Sequence, residues 1–132
     1  MRYLFDTDIC VGLIRRKSPA LLKRARACAP GDLGISSITL AELCFGAAKS
    51  SNPRQNGEAL RSFLAPFEVA PFEAGAAGYY GILRAELERL GSVIGPLDML
   101  IAAHALSLNV VLITNNVREF RRVHGLRWEN WL

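Results

Sequence analysis

Two rhythms alternate along this chain: short apolar runs that end abruptly, and longer stretches with helical spacing. Residues 2–5 (Arg-Tyr-Leu-Phe) read as a short buried strand that stops at Asp6. Helical spacing follows from Ile9 to Arg16. Ser18-Pro19 opens a second helix, which runs to Cys28; Pro19 stands in its first turn, where a missing N–H does no harm. Pro30-Gly31 is a turn, Leu33–Ser36 a second strand and Leu40–Lys49 a helix. Ser50–Gly57 is polar, contains Pro53 and reads as a loop. A helix to Leu64 and a strand at Val69–Pro71 follow. Residues 74–90 predict a long amphipathic helix with Ile82, Leu83, Leu87 and Leu90 along one side. Gly95-Pro96 introduces a helix to Leu108. Val110–Ile113 is apolar on both faces, the pattern of a strand inside a parallel sheet. A short helix at Arg118–Arg122 and a segment Leu126–Leu132 close the chain. Strands alternating with helices predict an α/β fold with a mostly parallel central sheet flanked by helices. The length of 132 residues, with no internal repeat, predicts a single domain over residues 1–132.

Composition narrows this only a little. Hydrophobic residues make up 51% and charged residues 21%, which excludes a disordered chain. No apolar run approaches the ~20 residues that span a bilayer. An acid already stands at position 6 with no apolar run before it, so no secretory signal is expected and the cytoplasm is the expected location. Cys10, Cys28 and Cys44 are scattered and odd in number, and are expected as reduced core thiols. The net charge of +4 suits a polyanionic partner without requiring one.

The placement of the acids carries more. Asp6 follows the first strand, Glu42 lies in the first turn of the helix after the second, Asp98 lies in the first turn of the helix opened by Gly95-Pro96, and Asn116 follows the last long strand. Ligands of open α/β sheets bind beyond the carboxyl ends of the strands. Each acid also has a plain structural reading. Thr39-Leu-Ala-Glu42 fits a capping box, Asp98 suits a helix N-terminus, and Asp6 or Thr7 can cap the following helix. Capping does not explain why the acids recur at one end of the sheet. Carboxylates gathered there repel and raise one another's pKa, and a hard divalent cation relieves the repulsion. Magnesium suits such a site. Other chemistries find little support. His104 sits in an apolar helix and His124 in a polar turn, both read as structural; Ser36, Ser37 and Thr39 read as turn and cap residues; and no Gly-rich phosphate loop is present.

At these residues the chain resembles the PIN-domain ribonuclease toxins of bacterial toxin–antitoxin pairs, the VapC family. The matching stretches are Asp6-Thr-Asp-Ile-Cys10, Ser36-Ser-Ile-Thr-Leu-Ala-Glu-Leu43, Ile94-Gly-Pro-Leu-Asp98 with Ile101-Ala-Ala-His104, Ile113-Thr-Asn-Asn-Val-Arg-Glu-Phe120 and Gly125-Leu-Arg-Trp-Glu-Asn-Trp131. The resemblance implies an acidic site of Asp6, Glu42 and Asp98 with Asn116 as a fourth polar member, where many relatives carry an aspartate. Asp8 stands where an asparagine is common and is expected to cap the first helix.

The resemblance further implies hydrolysis of an RNA phosphodiester, a tRNA being the expected substrate. Asp6 and Asp98 are the expected ligands of Mg²⁺, with Mn²⁺ as substitute, and Glu42 is expected to bind through water or to take a proton from the nucleophile. Thr7 and Thr114 are expected to position phosphate or water, and Arg15, Arg16 and Lys49 to attract the RNA backbone. A VapB-like antitoxin and a homodimer are the implied partners. A groove formed by Val11, Leu13, Ile14, Leu21 and Leu22 is a candidate seat for an antitoxin segment, with ordinary core as the competing reading. Two other functions stay open: a catalytically inactive binding module of the same fold, and a nuclease directed at DNA.

Overall fold

The computed structural model describes residues 1–132. The elements in chain order are β1 (Tyr3–Phe5), α1 (Thr7–Ile14), α2 (Pro19–Arg26), β2 (Leu33–Ser36), α3 (Ser37–Lys49), α4 (Pro53–Leu64), β3 (Glu68–Ala70), α5 (Ala74–Arg89), α6 (Pro96–Leu108), β4 (Val111–Ile113), α7 (Val117–Phe120) and β5 (Trp128–Glu129). The five strands form one sheet in the order β3-β2-β1-β4-β5, and every neighbouring pair is parallel. The expected α/β fold with a parallel central sheet is therefore the observed one.

Successive strand residues point to opposite faces. Leu4 and Leu112 enter one core with Leu83, Leu87, Met99 and Ile101 from α5 and α6. Phe5, Ile35 and Ile113 enter the other, against α1 to α4. There the Phe5 ring meets Phe67 and Trp131 edge-on, each at 5.4 Å between centroids. Helices thus cover both faces of the sheet.

Four expectations need correction. Only Gly57's predecessors up to Asn52 remain outside a helix in the stretch read as a loop: α4 starts at Pro53, because Asn52 accepts the Gln55 N–H and Pro53 opens the first turn. The apolar side of α5 is narrower than predicted. Leu83 and Leu87 are buried, whereas Ile82 is 75% exposed and Leu90 is also exposed. Of the cysteines, only Cys10 is core; Cys28 is partly buried and Cys44 exposed. Finally, α3 begins at Ser37, not Leu40, which puts Glu42 in its second turn.

Candidate functional site

Because all the strands are parallel, the residues that follow β1, β2 and β4 meet at one edge. Asp6, the first residue past β1, caps α1: its Oδ1 accepts the Ile9 N–H at 2.9 Å. Its Oδ2 accepts the hydroxyl of Thr114, which stands just past β4. Asp6 is only 4% exposed. Burial pushes its carboxyl up to about 6, the bonds from Thr114 and Ile9 oppose this, and the charges of Asp8 and Glu42 add to it. Asp8 itself is exposed and does not cap the helix, because Asp6 already does so.

Glu42 reaches this edge from α3. The helix is capped by Ser36, whose hydroxyl accepts the Ile38 N–H at 3.0 Å. The capping box read into Thr39 and Glu42 is therefore not needed, and Glu42 turns outward to α1, where the Thr7 hydroxyl donates to its Oε1 at 2.6 Å. The hydroxyls of Thr7 and Thr114 thus bond to carboxylates of the chain itself.

Asp98 stands in the first turn of α6, as expected, and is partly buried. Burial pushes its carboxyl up to about 7, with a hydrogen bond and repulsion from Glu119 next, then the charges of Asp6 and Glu42. Glu119 shifts the other way. Its hydrogen bond with Asp98 holds it below the ordinary range, helped by the Asn116 amide and the Gly95 N–H. The shifts run in opposite directions, so a proton binds more readily to the more buried Asp98. Asn116 touches both: its Nδ2 lies 3.3 Å from Asp98 Oδ2 and 3.1 Å from Glu119 Oε2.

The structure thus places Asp6, Glu42, Asp98 and Asn116 at the same edge, with Asp6 and Glu42 close enough for their charges to raise Asp98. Sequence reasoning missed Glu119. The signal was the Asn116-x-x-Glu119 spacing, which brings the carboxylate back to the residue already singled out. His104 fits its structural reading. It is buried, its Nδ1 lies 2.8 Å from Ser36 Oγ, and burial lowers its pKa so that it stays neutral. Of the hydroxyl residues near β2, Ser36 is the expected cap, whereas Ser37 accepts the Phe72 N–H at 3.0 Å and Thr39 Oγ1 lies 3.3 Å from Thr7 Oγ1, so these two tie separate segments together.

The donors at this edge are hard carboxylate oxygens, whose mutual repulsion a cation would relieve; in chemistry they suit Mg²⁺. As they stand, the side chains are turned to hydroxyl, amide and carboxyl partners and do not form a ready-made set of three metal ligands. Two grooves lie on the side of the sheet covered by α1 to α4, and only the smaller one reaches the acidic edge. One of about 320 Å³ starts at Thr7 and Glu42 and carries Arg15 and Lys49. The other, of about 810 Å³, is mostly apolar and is lined by Leu13, Ile14, Leu22 and Phe63, with Arg16 and Arg26. Of the residues expected in an apolar groove, Leu21 is buried core and Val11 lines the smaller groove instead.

A parallel sheet with carboxylates converging beyond its strand ends is the frame of the PIN domain, and the family model for that domain matches residues 3–126. The chain is 42% identical to the tRNA(fMet)-specific endonuclease VapC of Shigella flexneri, over 99% of this chain and 98% of that protein. Among solved structures, VapBC2 from Rickettsia felis bound to a DNA fragment from their promoter matches with a TM-score of 0.94 and 41% identity, each chain fully covered. DNA-bound VapBC from Salmonella typhimurium matches with a TM-score of 0.95 and 39% identity, over 100% of this chain and 99% of that one. The chain belongs to the VapC family of PIN-domain ribonucleases.

Proposed function

We propose that this chain is an Mg²⁺-dependent endoribonuclease toxin that cleaves structured RNA, a tRNA first among the candidates, and is held inactive by a VapB-like antitoxin. One observation carries the chemistry: Asp6, Glu42 and Asp98 meet at the carboxyl edge, where burial above all raises Asp6 to about 6 and Asp98 to about 7, the charge of Glu42 adding to both. Such groups bind a proton or a cation in preference to standing bare. Asp6 and Asp98 are the residues that would hold Mg²⁺, with Mn²⁺ as substitute. A divalent ion bound there supplies positive charge to a phosphate oxygen and acidifies water. Glu42 takes the proton of the attacking water, with Thr7 fixing its carboxylate. Asn116 and Glu119 orient Asp98.

The relatives support the partners. The VapC of Shigella flexneri is named for tRNA(fMet), and the matched structures are VapBC complexes. The larger apolar groove offers an antitoxin segment a seat beside α1, α2 and α4. Tyr79 and Ile82, exposed on α5, suit a homodimer contact. No helix is long and apolar enough to cross a membrane, and the cytoplasm is the proposed location.

The test incubates purified protein with total RNA and with single-stranded and duplex DNA, in Mg²⁺, Mn²⁺ or EDTA, and maps the cut ends. RNA cleavage should vanish in EDTA and return with either ion. Full activity in EDTA would sink the carboxylate–metal mechanism. Cutting of DNA alone would move the substrate to that polymer.

A further inference from the structure

Of the buried residues of α6, His104 alone is polar. Its neighbours Ala102, Ala103 and Ala105 are fully covered. Apolar burial has no direction, so these small side chains hold α6 down without fixing its position along its axis. His104 supplies that. Its Nδ1 lies 2.8 Å from Ser36 Oγ, and the Ser36 hydroxyl accepts the Ile38 N–H at the start of α3. The ring also bonds to the Pro71 backbone, just past β3. A proline has no N–H, so this partner is the carbonyl and the ring donates to it. In the neutral ring that burial favours, the other nitrogen accepts. The bonds therefore run one way: Ile38 N–H to Ser36, Ser36 O–H to Nδ1, and Nε2–H to Pro71. The Phe72 ring closes this pocket edge-on, 5.4 Å from the imidazole.

The His104–Ser36 bond joins the two helices that carry Asp98 and Glu42. His104 stands six residues after Asp98 on α6, and Ser36, the cap of α3, six residues before Glu42. Six residues of helix rise about 9 Å, a short and stiff lever. Ile38, in the first turn of α3, packs into the same cluster as Met99 and Ile101, so the helices touch where the bond is made. We propose that His104 is a positioning residue for the acidic site: by accepting the Ser36 hydroxyl it pins the cap of α3 to the middle of α6, and so sets the spacing of Glu42 from Asp98. Two apolar side chains would fill this space at little cost in stability. What they lack is direction, and a satisfied chain of buried polar groups holds one arrangement. A misplacement of about 1 Å at the reacting groups is enough to lower turnover on the order of 10²-fold. The role rests on the ribonuclease reading for what the acids do, though not for where they stand.

Two neutral amides separate positioning from packing. His104→Asn keeps an acceptor close to where Nδ1 stands. His104→Gln keeps a donor towards Pro71 and loses that acceptor. Ser18→Ala removes the cap of α2 and lowers stability away from the site. For each protein the melting temperature is measured, with kcat and KM in Mg²⁺ on one RNA of defined sequence that the wild type cuts. The Asp98 carboxyl is titrated by carbon-13 NMR in EDTA. His104→Gln should lower kcat on the order of tenfold with KM little changed. Its Asp98 should titrate lower than in wild type, as the charge of Glu42 moves away. His104→Asn should restore most of both, even where it melts as low as His104→Gln. Ser18→Ala should melt lower with kcat and the Asp98 titration unchanged. Nitrogen-15 shifts of the wild-type ring should place the proton on Nε2. A proton on Nδ1 overturns the proposal. So does His104→Gln with wild-type kcat and Asp98 titration, or a loss in the two amides that merely follows their melting temperatures. If neither amide folds by circular dichroism, Ser36→Ala, which leaves the imidazole in place, is held to the expectations for His104→Gln. A wild type that cuts no RNA in Mg²⁺ removes the ribonuclease reading, and the Asp98 titration in EDTA then decides on His104 alone.

Discussion

The two halves of the acidic site hold their carboxylates in different ways. On the β1 side, Asp6 and Glu42 each accept a threonine hydroxyl, from Thr114 and Thr7. On the α6 side, Asp98 meets a second carboxylate, Glu119, with the Asn116 amide touching both. A hydroxyl donor favours the charged carboxylate; a neighbouring carboxylate favours the protonated one. The first half is thus ordered by neutral donors, which hold it best where its carboxylates are ionised. The second takes up a proton more readily, and an incoming cation competes with it. The difference teaches where the chain stores the repulsion that metal binding would release, and it is open to direct attack.

The largest effect is expected at Asp98. Asp98→Asn removes a proposed ligand and should lower RNA cleavage by at least ~10²-fold, the scale of losing one catalytic group. It also removes the repulsion with Glu119, so the metal-free variant should melt at or above the wild-type temperature. Cleavage at the wild-type rate would leave Asp98 as a helix-end charge only.

The pH dependence of stability is the next effect. Both Asp6 and Asp98 have folded-state pKa values raised above the ordinary 3.8, to about 6 and about 7. Such groups contribute stability that is full below the unfolded value and is lost as pH rises through the folded one. The metal-free protein should therefore melt progressively lower as pH climbs from about 4 through about 7. Glu119, held below its ordinary value, acts oppositely and loses its contribution only as pH falls below 4.5. In Asp98→Asn the decline should end near the Asp6 value of about 6. Melting curves in EDTA across this range measure it, and a flat profile in the wild type would contradict the raised values.

Thr114→Val probes the β1 half. It takes the hydroxyl from Asp6 and leaves a buried carboxylate with one donor fewer, so the Asp6 pKa should rise further. A loss of about 1–3 kcal/mol is expected at pH above 6, where Asp6 is ionised, and less under acid. An equal loss at both would assign it to the Asn116 N–H, which the Thr114 hydroxyl also accepts at 2.9 Å, because valine keeps the methyl. Thr114→Ser keeps the hydroxyl and should keep the wild-type pH dependence of Tm.

The sequence made much of this site legible because strand ends are legible. The apolar runs at Tyr3–Phe5 and Val111–Ile113 stop at polar residues, and in a parallel sheet those stops share one edge. Asp6 and Asn116 follow from that, and Asp98 from the helix start at Gly95-Pro96. What stayed hidden depends on side chains far apart in the chain: Thr7 reaches Glu42 across 35 positions, and Thr114 reaches Asp6 across 108. Glu119 sits in a helix of only four residues, too short for periodicity to show which way a residue faces. The same limit explains α4. Asn52-Pro53 is as good a helix start as a loop marker, and only the apolar packing of Leu60 decides between them.

Asn116→Asp carries the smallest expected effect and tests the comparison most finely. The substitution exchanges an amide that donates toward both Asp98 and Glu119 for a third carboxylate between them. Without metal it adds repulsion and removes the donor, so the protein should melt lower than wild type above pH 7, where Asp98 is no longer protonated. With metal it adds a hard oxygen donor beside Asp98, so Mg²⁺ and Mn²⁺ should bind more tightly. Cleavage need not follow affinity, because a firmly held ion does not by itself bind the transition state better. Calorimetric titration of both proteins, paired with melting curves in EDTA, reads the two changes separately. Tighter binding with a lower metal-free melting temperature places position 116 within the α6 half of the site. A variant that changes neither would show that the amide merely ties Glu119 to Asp98, and that the cation is held by the β1 half without it.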